Sequence, residues 1–248
     1  MSTVTYPPLD VLKPVGPDLW IVDSGPVRAL GLPLPVRMTV IRLGGGDVWL
    51  HSPTRYDPGL HAAIEAIGPI RHLVAPNVAH CTFLEGWQRH CPGAVTWAAP
   101  GLRERRPLRR RAGRDAPRLD RDLADAAPPD WSGDLRQVVV RGGLGFREVA
   151  FYHPRSRSLV LTDLIVNLEP GRLPAPMRPL ARLAGVSAPD GRAPAYLRVV
   201  VRLRRREAVL AARALVALEP ERVLFSHGAW FARDGAARLR RSLRWLLD

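Results

Sequence analysis

The stretch Ser158-Leu159-Val160-Leu161-Thr162-Asp163 is an apolar strand that ends directly on a carboxylate. The stretch Arg222-Val223-Leu224-Phe225-Ser226-His227 ends in the same way on a histidine, and a short strand over residues 70–75, which is mostly apolar, leads to His80. Loops beyond the carboxyl ends of strands are where α/β proteins place their sites. We therefore expect His80, Asp163 and His227 to form one site, which needs the whole chain to assemble.

Other elements can be predicted around these strands. Residues 38–50 form a hairpin around a glycine-rich turn, and residues 95–98 form a further strand. Helices are predicted over residues 58–67, 205–217 and 233–247 from the spacing of apolar side chains. Another helix is predicted over residues 82–90, where Thr82 and Glu85 have capping-box spacing.

Two segments rich in proline, residues 101–134 and 169–195, are predicted to be long loops. The complete order has strands first, then helices alternating with strands, then more strands and a helix–strand–helix finish. Two sheets packed between helical layers satisfy this order. The sequence therefore predicts an α/β (α+β) fold, a four-layer αββα sandwich, formed by residues 1–248 as a single domain.

The chain is strongly basic, with a formal net charge of +14. Its cationic residues are almost all arginine, since Lys13 is the only lysine. This excess of arginine is as typical of a biased genome composition as of a protein that binds polyanions. Residues 103–121 contain nine arginines but lack the aromatic side chains on which bases stack. We interpret this stretch as a solvated face, and nucleic-acid binding through it is kept as the less favoured alternative.

Composition also bears on the compartment. No apolar run approaches the roughly 20 residues that cross a bilayer, so no transmembrane segment is expected. Residues 1–10 lack the basic start and apolar core of a signal peptide. Two cysteines, Cys81 and Cys91, are too few for a disulfide framework. These features predict a cytoplasmic protein, and they leave its oligomeric state open.

Several short motifs are similar to those of a known family. They are Pro76-Asn77-Val78-Ala79-His80, Glu85-Gly86-Trp87, Glu148-Val149-Ala150-Phe151, Thr162-Asp163-Leu164-Ile165-Val166-Asn167 and Phe225-Ser226-His227-Gly228. Together with the element order, they resemble the metallo-β-lactamase superfamily, and within it the DUF4336 family of unknown function. The resemblance covers about residues 19–247. It implies the αββα fold of metallo-β-lactamase type and a metal site that includes Asp163 and His227.

The superfamily signature His-x-His-x-Asp-His has no counterpart here. When Asn77 is aligned with its first histidine, Ala79, Cys81 and Thr82 take the other positions. When His80 is aligned with it, Thr82, Leu84 and Glu85 take them. The resemblance therefore implies a reduced, mononuclear Zn²⁺ site with His80, Asp163 and His227 as ligands. Further candidate ligands are Cys81, His51 and Glu85.

Three functions remain open at this stage. In the first, a metallo-hydrolase-like protein acts on a small ester, thioester, lactone or phosphoester, with Asp163 and His227 in catalysis and Asn167 stabilising negative charge. In the second, the chain is an inactive binding or scaffold module of the same fold. The third is nucleic-acid binding. Each site residue also has a simpler interpretation: Asp163 caps a turn, His227 is held by hydrogen bonds, and His80 lies exposed in a loop.

Overall fold

The computed structural model describes residues 4–29, 32–104 and 117–248. The centre of the arginine-rich stretch, residues 105–116, lies outside the described residues, so the interpretation given to it stays a prediction. Within the described part of the chain, no helix has both the length and the apolar character needed to span a membrane.

The first sheet has seven strands that lie side by side in chain order. They are β1 (Lys13–Gly16), β2 (Leu19–Ala29), β3 (Leu32–Arg42), β4 (Val48–His51), β5 (Ile70–Ala75), β6 (Val95–Ala98) and β7 (Arg121–Asp122). Strands β1 to β4 pair antiparallel, whereas β4 to β7 pair in parallel. Since parallel neighbours need a crossover, helix α1 (Pro58–Glu65) connects β4 to β5 and α2 (Leu84–His90) connects β5 to β6.

The second sheet is smaller and consists of β8 (Arg136–Arg141), β9 (Arg147–His153), β10 (Ser158–Val160) and β12 (Arg222–Leu224). Its strand order is β12–β10–β9–β8. Beyond it, β11 (Val166–Asn167) pairs in parallel with β13 (His227–Gly228). Because β10 and β12 are also parallel, the chain leaves both strands at the same edge of the sheet.

Buried apolar clusters define four layers. Between the sheets lie Trp49, Trp97, Trp131 and Phe151, whose rings meet edge to face at centroid distances of 4.5 to 6.1 Å. Helices α1 and α2 cover the outer face of the first sheet. The outer face of the second sheet packs against α4 (Ala195–Arg202), α5 (Arg205–Ala217) and α6 (Gly235–Leu247). The predicted four-layer αββα sandwich is therefore confirmed.

Two local expectations differ from the structure. The expected loop over residues 169–195 contains helix α3 (Met177–Ala184). Its prolines do not prevent a helix, because Pro176 is the N-cap and Pro179 lies in the first turn, where backbone N–H groups have no intrahelical partner. The capping box at Thr82 is absent, since α2 begins at Leu84 and the Thr82 hydroxyl donates to the carbonyl of Ala79 instead.

Candidate metal centre

Three side chains from distant parts of the chain converge where the two sheets end. His80 lies in the turn after β5, Asp163 in the turn after β10, and His227 at the start of β13. The Nε2 atom of His80 is 3.4 Å from Asp163 Oδ1, and the Nε2 atom of His227 is 3.3 Å from the same oxygen. Among the described residues, these three form the only group of metal-ligating side chains whose ligand atoms all lie within 4.8 Å of one another.

His227 is held firmly from its far side. Its Nδ1 atom is 2.7 Å from the carbonyl oxygen of Pro35, which can only accept a hydrogen bond. Nδ1 therefore donates to this carbonyl, and Nε2 faces Asp163. The buried guanidinium of Arg37 donates to the carbonyls of Phe225 and Gly228, at 2.9 and 2.8 Å, and fixes the backbone on both sides of the histidine.

Asn77 joins the loop of His80 to Asp163. Its Nδ2 group donates to Asp163 Oδ2 at 2.7 Å and to the Thr162 hydroxyl at 2.9 Å. Its Oδ1 atom accepts the backbone N–H groups of Ala79 and His80. One oxygen of Asp163 is therefore bound to Asn77, while the other faces the two histidines. The ring of His80 is held by Ser52, whose Oγ lies 2.6 Å from Nδ1.

A second carboxylate lies beneath the turn that carries Asp163. Glu148 is completely buried, and its oxygens accept the backbone N–H groups of Thr162, Asp163 and Leu164 at 2.8 to 3.2 Å. Burial, followed by the nearby charge of Asp163, raises the pKa of Glu148 to about 7. In the sequence, Glu148 stands out only as part of a family motif, and nothing there places it near the site.

Electrostatics keep Asp163 ionised. Its burial alone would raise its pKa, but the charge of His80 and the hydrogen bonds from His80 and His227 outweigh that effect and hold the pKa well below its usual range. An ionised carboxylate beside two imidazole nitrogens is a donor set typical of catalytic zinc sites.

A cavity of about 310 Å³ opens onto the three side chains. Its walls are mainly apolar and include Val27, Leu34, Val36 and Phe83. Tyr196, at the start of α4, also lines it, and desolvation followed by the charge of Asp163 raises the pKa of its hydroxyl. The sequence did not indicate Tyr196 as a site residue, because its only signal is an aromatic residue beside a proline-rich segment. A wider depression of about 890 Å³ between α5 and α6 includes four arginines in its lining and lies away from these ligands.

The other candidate ligands are not part of the group. The thiol of Cys81 lies 3.3 Å from the carbonyl of Val78, and Glu85 pairs with Arg89 at 2.8 Å. His51 is buried and stacks on Trp49. Burial, followed by the charge of His80, lowers the pKa of His51 well below its usual value, so its ring is neutral.

The side-chain amide of Asn167 makes hydrogen bonds to backbone groups. Its Nδ2 group donates to the carbonyl of Ala229 at 2.7 Å, and its Oδ1 atom accepts the N–H of Gly191 at 3.1 Å. Asn167 is not among the residues that line the cavity. These contacts assign it to holding the segment after His227, and its expected role in stabilising negative charge stays a prediction.

Residues 19–182 match the family model described as "Domain of unknown function (DUF4336)". No curated protein is significantly similar in sequence to the chain.

Solved structures of low sequence identity share the fold over nearly the whole chain. A metallo-β-lactamase from Pontibacter korlensis is 16% identical with a TM-score of 0.61, and covers 96% of this chain and 98% of its own. The metallo-β-lactamase FIM-1 from Pseudomonas aeruginosa, solved in a mono-zinc form, is 17% identical with a TM-score of 0.61 and coverages of 95% and 94%. A metallo-β-lactamase from Hirschia baltica is 16% identical with a TM-score of 0.60 and coverages of 95% and 96%. The fold is therefore that of the metallo-β-lactamases.

Proposed function

Since the chain belongs to the DUF4336 family and has the metallo-β-lactamase fold, we propose that it is a metallo-hydrolase-like protein. In this proposal His80, Asp163 and His227 bind a single Zn²⁺ ion, and a small-molecule substrate enters the adjoining cavity. The observation that carries the proposal is the arrangement of the three ligand atoms, two imidazole Nε2 atoms at 3.4 and 3.3 Å from one carboxylate oxygen.

The two nitrogen-to-oxygen distances fit a zinc ion. Ligand atoms about 2.0–2.2 Å from a tetrahedral ion lie roughly 3.3–3.6 Å apart. The remaining nitrogen of each imidazole already contacts a protein oxygen, of Ser52 for His80 and of Pro35 for His227. Such outer contacts orient the rings of ligating histidines. Catalytic zinc sites commonly have three protein ligands and one open position.

The surroundings support one ion rather than two. Asn77 donates to Asp163 Oδ2, so this oxygen is already engaged and is not free to bridge to a second ion. The described residues contain no second group of three ligands.

When bound, the ion would act as a Lewis acid that acidifies a water molecule in the cavity. The protein's own groups account for the rest of the chemistry. Asp163 and His227 orient the reacting centre, while Val27, Val36 and Phe83 exclude bulk water from it. The hydroxyl of Tyr196 lines the same cavity and can donate a hydrogen bond to an oxygen on which negative charge develops.

Metal analysis of the purified protein tests the proposal. We expect one zinc per chain in the wild type, and loss of most of it in Asp163→Ala and His227→Ala. His90→Ala is the matched control, because His90 is an exposed histidine outside the group and should leave the zinc content unchanged. Zinc that is substoichiometric and insensitive to Asp163→Ala would overturn the proposal.

A second candidate function is a metal-free binding or scaffold module. It is favoured by the missing signature, since Asn77, Ala79 and Thr82 stand where the signature would place ligands. In this case Asn77 and the two histidines would serve only to hold Asp163 in place. Stability that is independent of zinc and of chelator would support it. Nucleic-acid binding and a cytoplasmic location stay predictions, and binding that falls steeply with salt would support the former.

A further inference from the structure

An exposed apolar face lies beside the cavity. Five large apolar side chains on α3, on α4 and at the end of α4 are more than half exposed. They form what is called here the α3–α4 face: Leu180, Leu183, Tyr196, Val199 and Leu203. Each helix buries a different set of side chains in the core, such as Met177 and Ala181 on α3. Packing within the described chain therefore does not account for the α3–α4 face.

The face is continuous with the cavity. Tyr196, Val199 and Leu203 are spaced three and four residues apart, which places them in one stripe along α4. Tyr196 also lines the cavity of the metal centre. Helix α3 is joined to α4 by a hydrogen bond. The guanidinium of Arg198 on α4 donates to the carbonyl of Ala184, the last residue of α3, at 3.3 Å. The two helices are thus neighbours.

The segment that carries this face is strongly basic. Residues 170–206 contain nine arginines and only one acidic residue, Asp190. Asp190 already pairs with Arg241 at 2.9 Å. Arg172 and Arg204, near the ends of this segment, pair with Glu169 and Glu207 just outside it. The remaining arginines outnumber the single acidic residue of the segment. Large apolar side chains among arginines are typical of helices that lie on anionic membranes.

We propose that the α3–α4 face docks on an anionic lipid surface, with its leucines in the acyl boundary and its arginines at the head groups. Peripheral binding of this kind needs no spanning helix. A second copy of the chain fits the face less well, because a two-fold contact would bring the same arginine-rich segment against itself. Since Tyr196 belongs to both the face and the cavity, docking would open the cavity toward the lipid.

Vesicle flotation tests the proposal on the full chain, with or without zinc, and so independently of the metal centre. The vesicles are phosphatidylcholine alone or an equimolar mixture with phosphatidylglycerol. We expect binding to the anionic vesicles only. Leu183→Glu should lower the partition coefficient about tenfold or more, since it replaces an apolar side chain that would enter the lipid by a charged one. Arg182→Gln should lower it about fivefold.

Val11→Glu is the matched control, because Val11 is an exposed apolar residue outside the α3–α4 face and its change adds the same charge. Val11→Glu should bind as the wild type does. The proposal is overturned if anionic vesicles fail to bind, or if Leu183→Glu and Val11→Glu weaken binding equally. A third result would also overturn it: polyglutamate binds as tightly as the vesicles, and Leu183→Glu weakens neither polyglutamate binding nor vesicle binding. The face would then recognise acidic protein. A dimer in light scattering that Leu183→Glu dissociates, without vesicle binding, would indicate a second copy instead.

Discussion

Glu148 shows how one buried residue can set the geometry of the whole site. Its carboxylate has no contact with the cavity, yet it holds three consecutive backbone N–H groups in the turn that carries Asp163. A carboxylate has two accepting oxygens and no hydrogen to donate, which suits a position surrounded by N–H donors. Glu148 is therefore a positioning residue for Asp163.

Replacing Glu148 by glutamine tests this role. The amide would turn a donor toward N–H groups, so we expect Glu148→Gln to lower the free energy of unfolding by about 2 kcal/mol at pH 8. Urea denaturation measures the change, and zinc affinity should fall with it. Glu207→Gln, at an exposed position on α5, is the control and should stay within about 0.5 kcal/mol of the wild type. Equal stability of the two variants would contradict the assignment.

Cys91 gives a prediction for pH dependence. Burial, followed by the charge of Glu65, raises the pKa of its thiol to about 11. Only the thiolate reacts with alkylating reagents, and its fraction grows as pH rises toward that value. In the Cys81→Ser variant, iodoacetamide labelling of the folded protein should accelerate about tenfold per unit between pH 8 and 10. A plateau near pH 9 by mass spectrometry would contradict the raised pKa.

The ligand residues could be proposed from the sequence, but the residues that hold them could not. Asp163 and His227 directly follow apolar strands, so the local sequence pattern predicts that both lie at the edge of a sheet. Asn77 holds Asp163 across 86 positions of sequence, and nothing local to Asn77 indicates that contact. Tyr196 reaches the cavity only because α4 packs beside it. Contacts of this kind depend on tertiary packing, which a local sequence pattern does not contain.

At the scale of elements, the two-residue strands β11 and β13 decide where His227 lies. Gly228 has a φ of +93°, and a Cβ atom on it would lie 2.1 Å from the carbonyl oxygen of Asn167. Only glycine allows the two strands to approach this closely. The adjacent backbone N–H of Ala229 donates to the same carbonyl at 2.9 Å, which completes the pair.

Gly228→Ala should therefore be severely destabilising. A positive φ outside the range that alanine favours and a clash with backbone each cost about 1–3 kcal/mol, so we expect a loss of about 3 kcal/mol or more. Gly171→Ala is the matched control, because Gly171 has no atom within 4 Å of the added Cβ and needs no positive φ. Thermal unfolding should separate the two variants clearly. Similar melting temperatures would show that the β11–β13 contact can relax.

Elements with a clear apolar period were predicted more accurately than those marked by single residues. The bounds expected for β5, β6 and α5 agree with the structure, since each has a regular buried face. Helix α3 was not predicted, because the prolines in its segment indicate a loop. Prolines are, however, tolerated in the first turn of a helix. The hydroxyl of Thr82 was expected to cap helix α2, but it donates to the carbonyl of Ala79 within the preceding turn instead.

For the whole molecule, the order of elements was the strongest signal. It predicted two sheets between helical layers, because sequential strands and crossover helices leave few ways to bury both faces of each sheet. The same order places the carboxyl ends of β5, β10 and β12 at one edge of the sandwich, where the ligands from the two sheets meet. What it did not predict is the apolar α3–α4 face, since surface exposure follows from how the last helices pack and not from their order.

The last prediction concerns the stability of the whole chain. A zinc ion bound by His80, Asp163 and His227 would link β5 of the first sheet to β10 and β12 of the second, and a ligand that binds only the folded state stabilises it by about 2.7 kcal/mol at 100 times its Kd. For a chain of this size that corresponds to a rise in Tm of about 5–10 °C. Calorimetry with zinc, then with EDTA, should show this shift in the wild type and none in His227→Ala. One cooperative transition in both would support the predicted single domain, whereas a wild-type Tm that ignores EDTA would favour the metal-free module.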